Sequence, residues 1–596
     1  MGTSDAANAS PIEGANDAAN TSQTEGASAT PTNPHIAALL REYADLLELR
    51  GESAFRTAAY RRGAAAIAAH ERPVAALTAA ELQGIEGVGK GIAAAIGEIA
   101  RRGTFDPLEE ARQIIPASVI RFTTIPGVGV KTAARLYELL GVATLDALRA
   151  ADAEGRIGKT KGLGTRVERT IREGLAQLDV YAGRFPLGAI LPIAHRLLDL
   201  LRARGVPRVS LAGSLRRWTE TVGNIDLLAS GPDPAAILDA FGALPPVAAI
   251  VAREADTVRV TLADGLEARL MIVAPERWGT ALVAHSSTEG HRAALRELAA
   301  ARGLGDPFAR GYAAEADLYA ALGLPLLPPE LREGRGEVAA ARGGRLPRLI
   351  TRADLRGDFH SHSTWSDGSA TIAQMAEAAI ARGYAYLGVS DHTHGLAMIG
   401  GLDETRIREQ WREIDRLNAE LAPFRLLKSA EVEIRRDGAL DLPDAVLAEL
   451  DIVIASLHNG LRDERAAVTG RLLGAINNPH VDLIAHPSGR IVGGRAGADY
   501  DWDAIFAAAA ATGTALEINA APERLDLSDE HARLALAAGV TLAIDCDAHE
   551  PANLDLLPFG LAVARRAWTP PERVLNTRGL EEVREWGGHA GRRGGR

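Results

Sequence analysis

The sequence predicts a multidomain α/β protein with a helical N-terminal region, and three observations carry that prediction. Between His35 and Leu178 apolar residues recur at helical spacing, as in Ile36, Leu39, Leu40, Tyr43, Leu46 and Leu47. Beyond Leu355 short apolar runs alternate with amphipathic helices. Tyr386 to Val389, Ile452 to Leu457, Leu483 to Ala485, Ala515 to Ile518 and Thr541 to Ile544 read as strands of a parallel sheet or barrel. A chain of 596 residues also exceeds what one core organises, so three or four domains are expected. Hydrophobic residues at 47% and charged residues at 24% fit globular domains. A net charge of −11 excludes a uniformly basic nucleic-acid coat but not a local basic groove. The single cysteine, Cys546, excludes intrachain disulfides and Cys-rich zinc fingers and reads as a small buried residue. No run reads as a membrane span or signal peptide, so a cytoplasmic location without membrane contact is expected.

Residues 1–33 carry almost no large apolar side chain and read as a disordered tail. Two helical domains follow, 34–105 and 106–180. Three turns stand out in them: Gly84-Ile85-Glu86-Gly87-Val88-Gly89-Lys90, Ile125-Pro126-Gly127-Val128-Gly129-Val130-Lys131, and Lys161-Gly162-Leu163-Gly164. Each resembles a helix-hairpin-helix element. Gly87, Gly89, Gly127 and Gly129 let backbone approach a phosphate, the next helix offers free N–H groups, and Lys90 and Lys131 add charge. Repetition of the full turn points to nucleic-acid backbone binding that ignores base sequence. A single turn would be read as a helix cap.

From Tyr181 the pattern is mixed. Arg208 to Ala212 and Asn224 to Leu228 read as strands, and Thr257 to Leu262 with Leu266 to Val273 as a hairpin through Ala263-Asp264-Gly265. Gly213-Ser214-Leu215-Arg216-Arg217, followed by Asn224-Ile225-Asp226, resembles the palm signature of X-family (polymerase-beta-like) nucleotidyltransferases. Leu322 to Pro325 with Pro329 to Glu333 resembles the thumb-to-linker region of members that end in a PHP (polymerase and histidinol phosphatase) domain. The resemblance runs from about Asn33 to about Pro570. It implies a palm at 181–275, a thumb and linker at 276–345, a PHP domain at 350–575 and a tail at 576–596.

The departures from that pattern are informative. The family holds two magnesium ions on three aspartates. Here Asn224 replaces the first, Asp226 remains, and Arg269 stands where the third belongs, with Glu267 on the same face. An amide is a poor magnesium ligand and a guanidinium repels the ion. Ala284-His285-Ser286-Ser287-Thr288 also departs from the aromatic-Thr-Gly-Ser pattern. The palm is therefore expected to be degenerate, with Ser214 and Arg217 retained as structure. Ala95 stands where the family can carry a Schiff-base lysine, so no lyase chemistry is expected.

The C-terminal region keeps every metal-capable position. His360-Ser361-His362 and Asp367, Asp391-His392, Glu431, His458, His486, and Asp547-Ala548-His549 follow apolar strand-like runs. The segment Gly357 to Gly368 resembles the first PHP motif closely, and Val389 to His392 the second. The resemblance implies a distorted (βα)7 barrel with three divalent metals, manganese expected and zinc the alternative. His360, His362, Glu431 and Asp547 would hold the first. Glu431, His458 and His486 would hold the second, and Asp367, His392 and His549 the third. Catalysis is assigned to Glu431, His458 and Asp547. Asp391 is expected to orient a histidine, with Glu433 and Asp545 as supporting groups. His394 reads as peripheral, and His480 and His531 as ordinary. Arg435, Arg436, Arg490 and Arg495 read equally as phosphate contacts or solvated charges. The expected activity is metal-dependent 3′-5′ exonucleolytic or phosphoesterase cleavage of DNA in repair. The DNA partner is a primer–template, a gap or a 3′ end, and the sequence leaves protein partners open. The alternative is an active gap-filling polymerase whose PHP domain proofreads.

Overall fold

The computed structural model describes residues 31–587 apart from 71 and 264. Most of the expected 1–33 tail, the tip of the predicted hairpin and the last residues lie outside that range. The chain divides into two compact units, Met1–Thr124 with Val128–Thr170, and Ile125–Gly127 with Ile171–Arg596.

The first unit is helical. Helix Asn33–Leu49 packs on Ala54–Ala69, and Tyr43 meets Tyr60 and Phe105 edge-on at 4.8 and 5.1 Å. Polar caps set the helix starts: Thr32, Ser53, Thr78 and Thr144 each accept an amide of the first turn. Thr32 and Asn33, placed in the tail by composition, instead belong to the fold. Asn33 donates to the carbonyls of His70 and Arg72 and accepts from Val74 N.

In the second unit the palm is a five-stranded sheet. Its strands are β1 (Arg208–Leu211), β2 (Ile225–Ser230), β3 (Val247–Arg253), β4 (Thr257–Leu262) and β5 (Glu267–Ile272), in the order β1-β2-β5-β4-β3. Only β2 and β5 run parallel. The predicted hairpin is β4–β5. The edge strand β3 is invisible in the sequence pattern because Ile250 and Val251 are apolar yet exposed, at 52% and 47%. Helices Leu187–Ala203 and Pro234–Gly242 cover one face.

Residues 357–545 form a parallel seven-stranded sheet. The strands are β6 (Gly357–Asp358), β7 (Tyr386–Val389), β8 (Arg425–Glu433), β9 (Ile452–Ser456), β10 (Leu483–Ile484), β11 (Ala515–Asn519) and β12 (Leu542–Asp545), neighbours in chain order. Reciprocal bonds bring the last strand to the first. Phe359 N donates to Asp545 at 2.7 Å, Cys546 N donates to Asp358 at 3.0 Å, and Ser361 bridges Ala548. The result is a nearly closed barrel. Residues alternate in and out along each strand. The outward set, such as Leu426, Ala430, Leu516 and Ile518, packs under the surrounding helices. The inward set is apolar at the strand starts (Leu427, Ile454, Ala515, Ala543) and polar at the ends (Glu431, Ser456, Glu517, Asp545).

Residues 576–587, assigned to a C-terminal tail, instead seal the apolar end of the barrel. Asn576 donates to Gly357 O, Ile544 O and Asp545, and Val583 of helix Leu580–Gly587 is buried beside Phe359 and Tyr386. Composition misled there because the segment is short and flanked by glycine and charge. No helix among the described residues is long and apolar enough to cross a membrane.

Candidate metal centre and palm cleft

The polar ends of the barrel strands converge on Glu431, near the end of β8. Its two oxygens face different histidines. Oε1 lies 3.0 Å from His486 Nε2 and 3.4 Å from His458 Nε2. Oε2 lies 2.8 Å from His392 Nδ1, 3.4 Å from His360 Nε2 and 3.6 Å from His362 Nε2. Asp547 joins from beyond β12, with Oδ1 at 3.1 Å from His362 Nε2 and 3.5 Å from His360 Nε2. Asp367 gathers His392 and His549, whose Nε2 atoms lie 3.6 and 3.4 Å from its Oδ2. Asp547 holds a left-handed backbone, φ 52°, and His486 lies at φ 28°. Both conformations are unfavourable for these side chains and turn them inward at the rim.

Every residue expected in the metal set thus reaches one cluster. The grouping differs in detail from the expected partition. Ligand-capable atoms converge as His362, Asp367, His392 and His549; as His360, His362 and Asp547; and as His392, Glu431 and His458. His362 and His392 each stand in two groups, while His486 approaches through Glu431 alone. His360 Nε2, His362 Nδ1, His392 Nδ1, His486 Nδ1 and Glu431 Oε2 are buried without a hydrogen-bond partner. Converging orphan atoms of hard and borderline donors fit divalent cations.

The electrostatics match. Burial opposes charge on Glu431, but His392, His458 and His360 outweigh it and hold the carboxyl well below its usual range. Burial likewise disfavours the His360 imidazolium, yet Asp547, Glu517 and Glu431 hold it well above the ordinary imidazole value. Burial, helped by the Arg524 charge, lowers His486 to about 3.

Supporting contacts are specific. Glu433 Oε2 lies 2.8 Å from His458 Nδ1, as a carboxylate that fixes a ring would. Glu517, overlooked in the sequence, does the same for His360: Oε1 lies 2.7 Å from Nδ1, and Oε2 accepts from His486 N and Asn519 Nδ2. Asp391 does not orient a histidine. Its carboxylate accepts from Ser363, Ser366 and Gln410, and so shapes the loop that carries Asp367. Cys546 is fully buried. His394 is half exposed, and His531 stacks near Trp502 at 4.4 Å.

Of the four arginines singled out, Arg490 is committed to Glu220 and to two backbone carbonyls, and Arg495 and Arg435 each hold a carbonyl. Arg436 is exposed. Arg524, also missed, brings Nε to 3.5 Å from Asp547 Oδ2 and places a cation at the rim of the cluster.

The palm cleft is built differently. Asp226 pairs directly across from Arg269 in the β2–β5 register. Its Oδ1 accepts from Arg269 Nε at 2.9 Å and from Asn224 Nδ2 at 2.7 Å. One oxygen of Asp226 is thus taken by a guanidinium and an amide, and Glu267 lines the same cleft beside Asn224 and Arg269. Burial and the Arg269 charge also lower the neighbouring His285. Arg217 is bound to Glu333 at 3.0 Å, and Ser214 lies in the short helix Gly213–Arg216.

The helix-hairpin-helix turns have the expected geometry. Gly87 and Gly127 are left-handed, at φ 86° and 82°. Gly89 and Gly129 have ordinary φ and cap helices Lys90–Arg102 and Val130–Leu140. A Cβ at either would meet nothing within 4 Å. Nothing among the described residues requires glycine at those two caps, so the space there is open to a ligand. Lys90 and Lys131 are exposed beside them.

Comparison with known proteins agrees with this division. A helix-hairpin-helix domain family matches residues 31–105, and a SAM-like helix-hairpin-helix tandem family matches residues 119–177. A probable phosphatase of Thermoanaerobacter sp. (strain X514) is 32% identical over 235 residues, 37% of this chain and 89% of that protein. Another, from Syntrophotalea carbinolica, is 29% identical over 229 residues, 37% of this chain and 90% of that protein. The DNA polymerase/3′-5′ exonuclease PolX of Bacillus subtilis (strain 168) is 36% identical over 561 residues, 92% of this chain and 98% of that protein. With helix-hairpin-helix turns, a nucleotidyltransferase-like palm and a histidine-lined barrel in one continuous match, the chain belongs to the PolX family.

Proposed function

We propose that this chain is a metal-dependent 3′-5′ DNA exonuclease and phosphoesterase of DNA repair whose palm holds DNA without extending it. One contrast carries the reading: Glu431 divides its two oxygens between separate histidine sets, whereas Asp226 spends an oxygen on Arg269 and Asn224. His360, His362, Glu431 and Asp547 would hold one cation, Glu431, His458 and His486 a second, and Asp367, His392 and His549 a third, with manganese the expected ion. Bound cations supply Lewis acidity toward a phosphodiester and acidify water near neutral pH. Glu517 and Glu433 lock the His360 and His458 rings in the orientation such binding needs. Arg524 offers a guanidinium to a phosphate oxygen at the same rim.

The test combines Mn2+, a 5′-labelled recessed primer–template and all four deoxynucleotides. Primer shortening that disappears in His360→Ala is the expected result. Primer extension would overturn the silent palm and favour a proofreading polymerase.

The helix-hairpin-helix turns yield a second expectation. Aspartate is a better N-cap than glycine, so Gly89→Asp with Gly129→Asp leaves stability unchanged or slightly higher. Two new carboxylates against phosphates lower DNA affinity by at least about tenfold and flatten its salt dependence. Fluorescence anisotropy against salt reads both effects. Unchanged affinity would reduce these turns to caps.

A further inference from the structure

We propose that Glu220, on the palm loop Arg217–Thr221, is a positioning residue for the nuclease centre, acting through Arg490 on the backbone that carries Arg524. The inference rests on the nuclease reading above. Glu220 Oε2 lies 2.7 Å from Arg490 NH2. The same guanidinium donates to Arg524 O at 3.0 Å and Leu525 O at 2.6 Å. Arg524 in turn lies against Asp547. A palm carboxylate is therefore linked to a candidate metal-site carboxylate through two arginines.

The segment that Arg490 grips needs outside restraint. Leu525 has φ 46°, a left-handed conformation that leucine does not favour. Asp526 ties the segment to the loop after His486 by accepting from Ser488 N and Gly489 N. Arg524 N and Leu525 N also donate to Ala521 O, and Asn519 N to Asp526 O, while Arg490 adds the side-chain grip on the Arg524 and Leu525 carbonyls.

The palm loop is itself anchored on the barrel. Arg566 donates to Arg217 O at 2.8 Å, and Trp218 meets Phe559 edge-on at 5.6 Å. Glu220 is thus held at a fixed place on the joint. Beside it lies a polar cavity of about 550 Å³ lined by Arg184, Arg495 and Trp502, among others. Without Glu220, the Arg490 guanidinium has a polar space to turn into, away from Arg524 and Leu525. The pair lies near the surface, with Glu220 35% and Arg490 15% exposed, so solvent screens it and its loss falls more on position than on folding.

The experiment uses the full chain with Mn2+ and a 5′-labelled single strand. Glu220→Ala is expected to lower kcat/KM about tenfold, the scale of a small misplacement at a reacting centre. Glu220→Asp retains most of the rate, and bound Mn2+ and melting temperature stay at wild-type values. In an Arg524→Ala background, Glu220→Ala is expected to add nothing, since both act at one point. A wild-type rate for Glu220→Ala, or an equal loss with and without Arg524, overturns the proposal while leaving the nuclease reading intact. Absence of Mn2+-dependent cleavage by the wild-type chain overturns both.

Discussion

Glu431→Gln abolishes Mn2+-dependent DNA degradation, by at least about a thousandfold, while the chain stays folded. Residues that support a ligand from behind typically contribute about 10–100-fold. Glu431 does more, because each of its oxygens serves a different set of rings. Glutamine keeps one acceptor and converts the other to a donor, which faces imidazole nitrogens that also need an anion. The charge goes as well: it leads in holding His392 above the ordinary imidazole value against burial, and it joins Asp547 and Glu517 in holding His360 there. Metal analysis of the purified variant together with a gel assay checks the claim. The expected outcome is reduced manganese content and no shortened product. Wild-type content and rate in Glu431→Gln would rule out a shared carboxylate.

Glu315→Ala destabilises the second unit by about 3–5 kcal/mol, the penalty for stranding a buried charge. Arg332 is fully buried, and its guanidinium has one carboxylate, Glu315, at 2.6 Å, besides the carbonyl of Leu327. Glu315 also takes Arg216 of the palm helix at 2.6 Å, so one carboxylate balances two arginines. Removing it leaves Arg332 in a site that water does not reach. Melting followed by calorimetry is expected to drop by roughly 5–10 °C. Arg332→Met in the same background recovers part of the loss, because the stranded charge goes with it. The pH dependence has a definite sign. Burial raises the Glu315 pKa, and the two arginines more than offset it, so the folded value lies below the ordinary one. Its contribution is complete above about pH 4.5 and is lost as pH falls through the folded value. A variant that melts like the wild type at pH 7 would show that Arg332 finds another anion.

The legible part of this protein was the part in which polar residues interrupt apolar strands at their ends. His360-Ser361-His362 and Asp547-Ala548-His549 announce themselves because alternation sends both outer residues the same way, and the barrel brings them to one rim. The palm departures were legible for the opposite reason: Asn224 and Arg269 break a pattern, and the β2–β5 register sets Arg269 against Asp226. Glu517 was missed because it sits inside the apolar run Ala515-Leu516-Glu517-Ile518. A charge in a buried strand interior was itself the signal. Arg524 was missed because it follows its strand through Ala520, Ala521 and Pro522, where spacing predicts nothing about direction. The role of Asp391 was misread because adjacency to His392 in sequence does not mean contact: the two side chains leave the chain on opposite sides. Strand β3 and helix Leu580–Gly587 depend on tertiary packing that no local pattern encodes.

The seam between the first and last barrel strands has a consequence for truncated chains. His362 and Asp547 are 185 positions apart, and neither strand completes its hydrogen bonds without the other. The helix-hairpin-helix turns precede the barrel in the chain, while the metal cluster waits for Asp547 and His549 and for Asn576 behind them. A fragment that ends before Asp547 therefore carries the helix-hairpin-helix turns but not the complete metal cluster. The metal cluster is thus all-or-none along the barrel: it exists only when the first and last strands are both in place.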